Sequence, residues 1–178
     1  MKFEVLGPYY FPTRTIIKAD HIKKLKATAL EDPFGASLLS GPGCYVFGVK
    51  SSGSARVVPW YVGKAERQSV LKESTNGSHL QLYNEILDEY KRGRPALYFV
   101  PAVTLQGRGR SPVQKGGKMP AVDFLEDWLI ARALQSNPGL WNARKTKLLR
   151  ELSVRGIFNP TKGDMTLPSA SLKECLDL

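Results

Sequence analysis

The sequence lacks most of what would tie it to an oxidising compartment, a membrane or a thiolate metal centre. Cysteine occurs twice, at Cys44 and Cys175, and histidine twice, at His21 and His79. Two cysteines cannot form a disulfide framework and cannot by themselves complete a zinc site. Cys44 lies in an apolar run and reads as a small core residue. No apolar stretch approaches the ~20 residues needed to span a bilayer. The segment Met1-Lys2-Phe3-Glu4-Val5-Leu6-Gly7-Pro8 has no signal-peptide pattern. Internal repeats and low-complexity tracts are missing too. The expectation is an intracellular, cytoplasmic protein in reducing surroundings.

Acid is missing where base is plentiful. The chain of 178 residues carries a net charge of +10. From Lys91 to Lys118 it places Lys91, Arg92, Arg94, Arg108, Arg110, Lys115 and Lys118 with no Asp or Glu between them. A second patch, Arg144, Lys145, Lys147 and Arg150, meets its first acid at Glu151. Such clustering reads as a nucleic-acid footprint more readily than as a solvated face. The hydrophobic content of 42% excludes global disorder and suits one domain with its own core.

Residues 1–40 read as an N-terminal extension packed on the domain, 41–153 as the domain itself, and 154–178 as a C-terminal tail. In the extension, Phe3 to Leu6 suits a short strand, Pro8-Tyr9-Tyr10-Phe11-Pro12 an aromatic loop, and Ile16 to Leu30 an amphipathic helix. Gly43-Cys44-Tyr45 opens an apolar run through Val49, and Val57-Val58-Pro59-Trp60 leads into Tyr61-Val62-Gly63. The spacer Lys50-Ser51-Ser52-Gly53-Ser54 marks a hairpin. An antiparallel return sets Tyr45 and Tyr61 on neighbouring strands, where one register brings both hydroxyls to one face. Two phenols at one site can position a water, move a proton and hydrogen-bond a phosphate.

Further along, Lys64 to Ser74 reads as a helix, and Thr75-Asn76-Gly77 as a stop. Ser78 is placed to cap a second helix that carries Leu80, Tyr83, Ile86 and Leu87. A third strand follows in two pieces, Ala96–Val100 and Ala102–Leu105, with Pro101 suggesting an edge or a bulge. Residues 106–120 form a Gly-rich basic loop, a length that is commonly functional or mobile. Ala121 to Gln135 is the clearest helix, its stripe of Val122, Leu125, Leu129 and Ala133 widened by Phe124, Trp128 and Ile130. Another helix is expected near 143–153, and the tail from Ile157 is expected to pack loosely.

The pair Gly43-Cys44-Tyr45 and Tyr61-Val62-Gly63-Lys64-Ala65, with its hairpin-length spacer, resembles the GIY-YIG nuclease domain. The resemblance covers roughly residues 41 to 146. It implies an α+β fold, a small antiparallel three-stranded sheet flanked by helices. It also implies metal-dependent hydrolysis of phosphodiester bonds in nucleic acid, DNA ahead of RNA, with Mg²⁺ or Mn²⁺. Glu126, mid-helix, then takes the metal, since a hard cation can be held by one carboxylate plus waters and a phosphate. Tyr45 and Tyr61 activate or orient the attacking water.

Asn142 falls where the family has an asparagine, and it suits either a phosphate-orienting amide or a helix N-cap. His79 matches a family histidine loosely and suits proton transfer or a structural place at a helix start. The family's helix arginine has no counterpart here: Val70-Leu71-Lys72 stands in that place, so Lys72 or Arg67 is the expected cation. Lys64, Arg108, Arg110, Lys115, Lys118 and Arg144 are expected to grip the nucleic-acid backbone. The alternatives are a nucleic-acid-binding module of the same fold without turnover, and a subunit of a larger nucleic-acid-processing complex.

Overall fold

The computed structural model describes residues 1–31, 33–89, 93–104, 106–114, 117–142, 146, 151, 154, 156–157 and 165–176. In chain order the elements are β1 (Lys2–Phe3), β2 (Leu6–Tyr10), α1 (Ala19–Leu30), α2 (Pro33–Leu39), β3 (Gly43–Lys50), β4 (Val57–Ala65), α3 (Val70–Ser74), α4 (Gly77–Glu89), β5 (Arg94–Val103), α5 (Pro120–Ser136) and α6 (Leu167–Cys175).

The aromatic hairpin forms as its turn residues dictate. Gly53, at φ +81°, supplies the left-handed position between β3 and β4. The ladder pairs Gly43 with Ala65, Tyr45 with Gly63 and Phe47 with Tyr61. It then slips to Gly48 opposite Pro59, which makes Trp60 the extra residue of a bulge. Tyr45 and Tyr61 therefore share one face as diagonal neighbours, two residues out of direct register.

The sheet has five strands, not the three expected. Strand β5 pairs with β3 along its whole length, from Gly43 opposite Pro101 to Lys50 opposite Arg94. Its far edge is taken by the N-terminal segment: β1 pairs Lys2 with Val103, and β2 pairs Leu6 with Phe99 and Tyr10 with Ala96. The order is β1-β5-β3-β4, with β2 also on β5. Pro101 is thus in an inner strand rather than at an edge. Its carbonyl accepts from the Glu4 N–H at 3.2 Å, so its missing N–H falls on the same side, in the gap between β1 and β2. The run from Ala96 to Val103 is apolar nearly throughout because β5 is flanked by strands on both sides and covered on both faces.

One face of the sheet, with Tyr45, Phe47, Val49, Leu97 and Phe99, packs against Leu25 and Ala29 of α1, Val70 and Leu71 of α3, and Tyr83, Ile86 and Leu87 of α4. The other face packs against α5 through Cys44, Val100 and Val122, and through Val62, Ile130 and Leu134. Helix α5 matches its expected span, but Phe124 and Trp128 are 71% and 51% exposed rather than part of the stripe. Helix α3 starts at Val70, not Lys64, because β4 runs on through Ala65 and Ser69 supplies the cap to Lys72 N–H. Helix α4 is capped by Asn76, whose Oδ1 accepts from His79 N–H at 2.9 Å; the hydroxyl of Ser78 instead donates to that same Oδ1. Helices α2 and α6 were not anticipated. No described residue of α6 is buried.

The exposed edge of β4 is closed by side-chain and backbone groups of the segment after α5. Asn137 Nδ2 donates to Pro59 C=O at 2.8 Å, and Trp141 N–H donates to Trp60 C=O at 2.8 Å. Asn142 completes the row. Its Oδ1 accepts from Val62 N–H at 2.9 Å, and its Nδ2 donates to Val62 C=O at 2.6 Å. The buried amide of Asn142 is therefore committed to the strand backbone, as one residue of a further strand would be. Neither role weighed for it from the sequence describes this. The helix expected near 143–153 lies largely outside the described residues, as does Arg144. Replacing Asn142 by Ala strands a buried donor and acceptor at Val62, and such groups cost ~1–3 kcal/mol each. Chemical denaturation should show a loss of about that size, with the circular-dichroism spectrum of the folded state unchanged.

Candidate functional site

The phenol face is organised by a glycine. A Cβ at Gly63 would lie 2.4 Å from both Cζ and Oη of Tyr45, so the tyrosine ring crosses its neighbouring strand where no side chain stands. Gly43 plays the matching part toward β5, since a Cβ there would lie 2.3 Å from Val100 C=O. The two signature glycines are thus close-approach residues, and the tyrosines are placed by them.

Tyr45 is 1% exposed, and its hydroxyl lies 2.7 Å from His79 Nε2. The imidazole is fixed from behind. Asn76 Oδ1, already accepting from His79 N–H, lies 2.9 Å from His79 Nδ1. That arrangement puts the ring proton on Nδ1 and leaves Nε2 as an acceptor, so Tyr45 donates to His79. Tyr61 packs beside this pair, its ring centroid 6.3 Å from that of Tyr45 and 5.7 Å from that of His79. The result is one directed chain, Tyr45 to His79 to Asn76, with half-buried Tyr61 packed beside its outer end.

Burial sets the protonation states. It pushes the Tyr45 phenol far above its ordinary range, helped by the neighbouring Tyr83, Tyr61 and Glu73. Tyr61 is raised by burial first and by the charge of Glu126 next, while the nearby Tyr45 hydroxyl pulls the other way. His79 is lowered by burial, against the Glu73 carboxylate and backbone carbonyl. The face therefore holds two neutral phenols and a neutral imidazole at pH 7. Tyr83 belongs to the core: its ring stacks on Phe47 at 4.1 Å and its hydroxyl donates to Ser74 C=O at 2.9 Å.

Next to this chain lies a charge cluster joining β4 to α5. The Lys64 ammonium is hydrogen-bonded to Asp123 Oδ1 and lies 3.3 Å from Glu66 Oε2 and 3.9 Å from Glu126 Oε2. Burial works against the Lys64 charge, but the bond to Asp123 and the charges of Glu126 and Glu66 outweigh it, and its pKa is raised. Glu66 also accepts from Met119 N–H at 2.7 Å, which ties the start of α5 to the end of β4.

Among the described residues no three His, Cys, Asp or Glu side chains cluster as a ready metal site. Asp123 and Glu126, one helical turn apart, do offer the hard oxygen donors that Mg²⁺ or Mn²⁺ takes, and they already share a cation in Lys64. The donor chemistry fits the metal expected from the sequence.

The structure brings Tyr45, Tyr61, His79, Lys64 and Glu126 together. Arg67 and Lys72 are both exposed, and the charged residue that α3 directs at the phenols is Glu73, an acid, held by a hydrogen bond from Gln68. The expected helix cation is thus replaced by a carboxylate. Arg108, Arg110 and Lys118 are exposed on a loop pinned by Arg110 N–H to Ala102 C=O at 3.1 Å and Val113 N–H to Glu66 C=O at 3.0 Å. Lys115 lies outside the described residues. Sequence reasoning missed Asn76, Glu73, Asp123 and Glu66. Asn76 had a signal, since an N-cap asparagine three residues before a histidine reaches both its N–H and its ring.

Comparison with family models, with curated proteins and with solved structures finds no match for this chain. The five-stranded sheet departs from the three-stranded arrangement that the GIY-YIG resemblance implies, so the family label is not carried further. The side-chain geometry stands without it.

The lowered pKa of His79 has a signed consequence. A group whose folded pKa lies below its unfolded value contributes stability above the unfolded value, and that stability is lost as pH falls through the folded one. Stability should therefore decline below about pH 6.5, the ordinary histidine value. His79→Gln, which cannot charge, should flatten that decline. Denaturation midpoints of both proteins between pH 4.5 and 7.5 check it; parallel curves would place the titration elsewhere.

Proposed function

We propose that this chain hydrolyses phosphodiester bonds in nucleic acid, DNA ahead of RNA, with a divalent metal. The observation that carries the reading is the Tyr45–His79 hydrogen bond with Tyr61 packed against both rings, beside the Glu126 carboxylate. Once the two hydroxyls close to hydrogen-bond distance, a water at Tyr61 can give its proton to Tyr61 Oη as the Tyr61 proton moves to Tyr45 and the Tyr45 proton to His79 Nε2. Hydroxide and an imidazolium result, and both phenols are neutral before and after. The raised phenol pKa values suit such a concerted shift, because neither phenolate has to persist.

Mg²⁺ or Mn²⁺ at Glu126 and Asp123 would supply Lewis-acid polarisation of the scissile phosphate. Lys64, drawn from Asp123, offers an ammonium to the charge that builds on the phosphate. Arg108, Arg110 and Lys118 offer backbone contacts that position a strand without reading it. Asn142 serves by holding β4 straight. A cytoplasmic location accords with neither Cys44 nor Cys175 being in a disulfide. Among the described residues, no helix is long and apolar enough to cross a membrane.

The exposure of Arg67 and Lys72, and the engagement of Lys64 by three carboxylates, favour a second reading: a nucleic-acid-binding module without turnover, alone or in a larger complex. One assay separates the two. Labelled duplex, branched and single-stranded DNA and RNA are incubated with Mg²⁺, Mn²⁺ or EDTA. Tyr61→Phe, His79→Gln and Glu126→Gln should each lower metal-dependent cleavage, by ~10²–10⁴-fold for the proton-transfer residues, with binding retained. Binding of wild type without cleavage of any substrate would establish the module instead.

A further inference from the structure

At the opposite end of β3 from the phenols the sheet carries two like charges face to face. Lys50 and Arg94 are direct partners across β3 and β5. Like charges in that position destabilise a sheet unless something offsets them. Among the described residues, no carboxylate lies within ion-pair distance of Lys50, Arg94 or Arg14. All three cations line one cavity of about 310 Å³, together with Tyr10, Ser51, Ser52, Gly53 and Ser54. The lining includes no acid.

The walls are partly set in advance. The Arg94 guanidinium lies 4.6 Å from the centroid of the Tyr10 ring, which orients its planar fork. The serines sit in the β3–β4 turn, whose shape is held by Ser54 N–H to Ser51 C=O at 3.2 Å and Arg56 N–H to Ser54 Oγ at 3.0 Å.

From this geometry we infer a binding site for a phosphate monoester at the hairpin end of the sheet, with Arg14, Lys50 and Arg94 as its cations and Ser51 and Ser52 as its hydroxyl donors. A phosphate monoester carries about −1.5 to −2 charge at pH 7 and three strong acceptor oxygens. It would neutralise most of the unpaired +3 and use both the guanidinium forks and the hydroxyls. A carboxylate would leave two of the three charges uncompensated. The cavity is larger than a bare phosphate needs, so the group can arrive at a strand end or on a free nucleotide. Tyr45 lies five residues from Lys50 along β3, ~17 Å at ~3.3 Å per residue. The site is therefore separate from the phenol face, and its occupancy does not require turnover there.

The test is an amide-resolved NMR titration with inorganic phosphate, acetate, a nucleoside 5′-monophosphate, and matched oligonucleotides bearing a 5′-phosphate or a 5′-hydroxyl. Phosphate should shift the amides of Ser51 to Ser54 and saturate, and acetate at the same concentration should not. The triple variant Arg14→Gln, Lys50→Gln, Arg94→Gln should weaken phosphate binding at least tenfold. The single variants Arg14→Gln and Arg94→Lys serve should the triple not fold, and Arg94→Lys, which keeps charge but loses the fork, should fall between. A preference for the 5′-phosphorylated oligonucleotide identifies the strand end as the source; equal binding of both oligonucleotides, with tight binding of the monophosphate, identifies the free nucleotide. Absent shifts, shifts unchanged in the variants, or equal shifts with acetate would overturn the inference.

Discussion

The contact between the ring of Tyr45 and the bare backbone of Gly63 is the constraint on which the phenol face depends. It exists only in the register that pairs these two residues. A slip of one position would send Tyr45 to the α5 side of the sheet and Cys44 to the other. The register holds because both faces are buried: Phe47 and Val49 belong to one packed layer, and Cys44 and Val62 to layers on the other side. The hydrogen-bond chain through His79 inherits its geometry from that pairing.

Around this constraint the molecule separates neutral from charged chemistry. On one face of β4, desolvation keeps two phenols and an imidazole uncharged. On the other, Lys64 gathers three carboxylates from the strand end and from α5. Successive residues of one strand point to opposite faces, so Gly63 and Lys64 serve the two sides in turn. The fields still meet, since Glu126 raises the pKa of Tyr61 across the edge. A neutral hydrogen-bonded cluster and a charged one sit this close with a strand between them.

What the sequence made legible was what local pattern encodes. The hairpin, its two tyrosines, α4, β5 and the span of α5 follow from alternation, helical stripes and turn residues. Tyr61 and Glu126 could be named because motif and helix placed them. The two N-terminal strands were not legible as parts of the sheet: Leu6 to Tyr10 contains Gly7 and Pro8, which read as loop, and only pairing with β5 makes that stretch extended. The helix cation failed for a related reason. Lys72 and Arg67 were named by their distance past Tyr61 with Lys64 to Ser74 read as one helix, yet β4 continues through Ala65, and Glu73 rather than Lys72 faces the phenols. The role of Asn142 depended on which strand ended up at the sheet edge, a tertiary fact without a local signature.

The partnership of β5 with the first ten residues also governs the order of assembly. Lys2 meets Val103 across roughly a hundred residues of chain, whereas β3 meets β4 across a single turn. Loop closure of that length is slow compared with hairpin formation. The β3–β4 hairpin can therefore form first and the N-terminal strands last. Until they dock, one edge of β5 presents unpaired N–H and C=O groups to any extended segment nearby. During synthesis the emerging chain would be most prone to associate with other copies of itself at that stage, through a surface that the finished fold conceals.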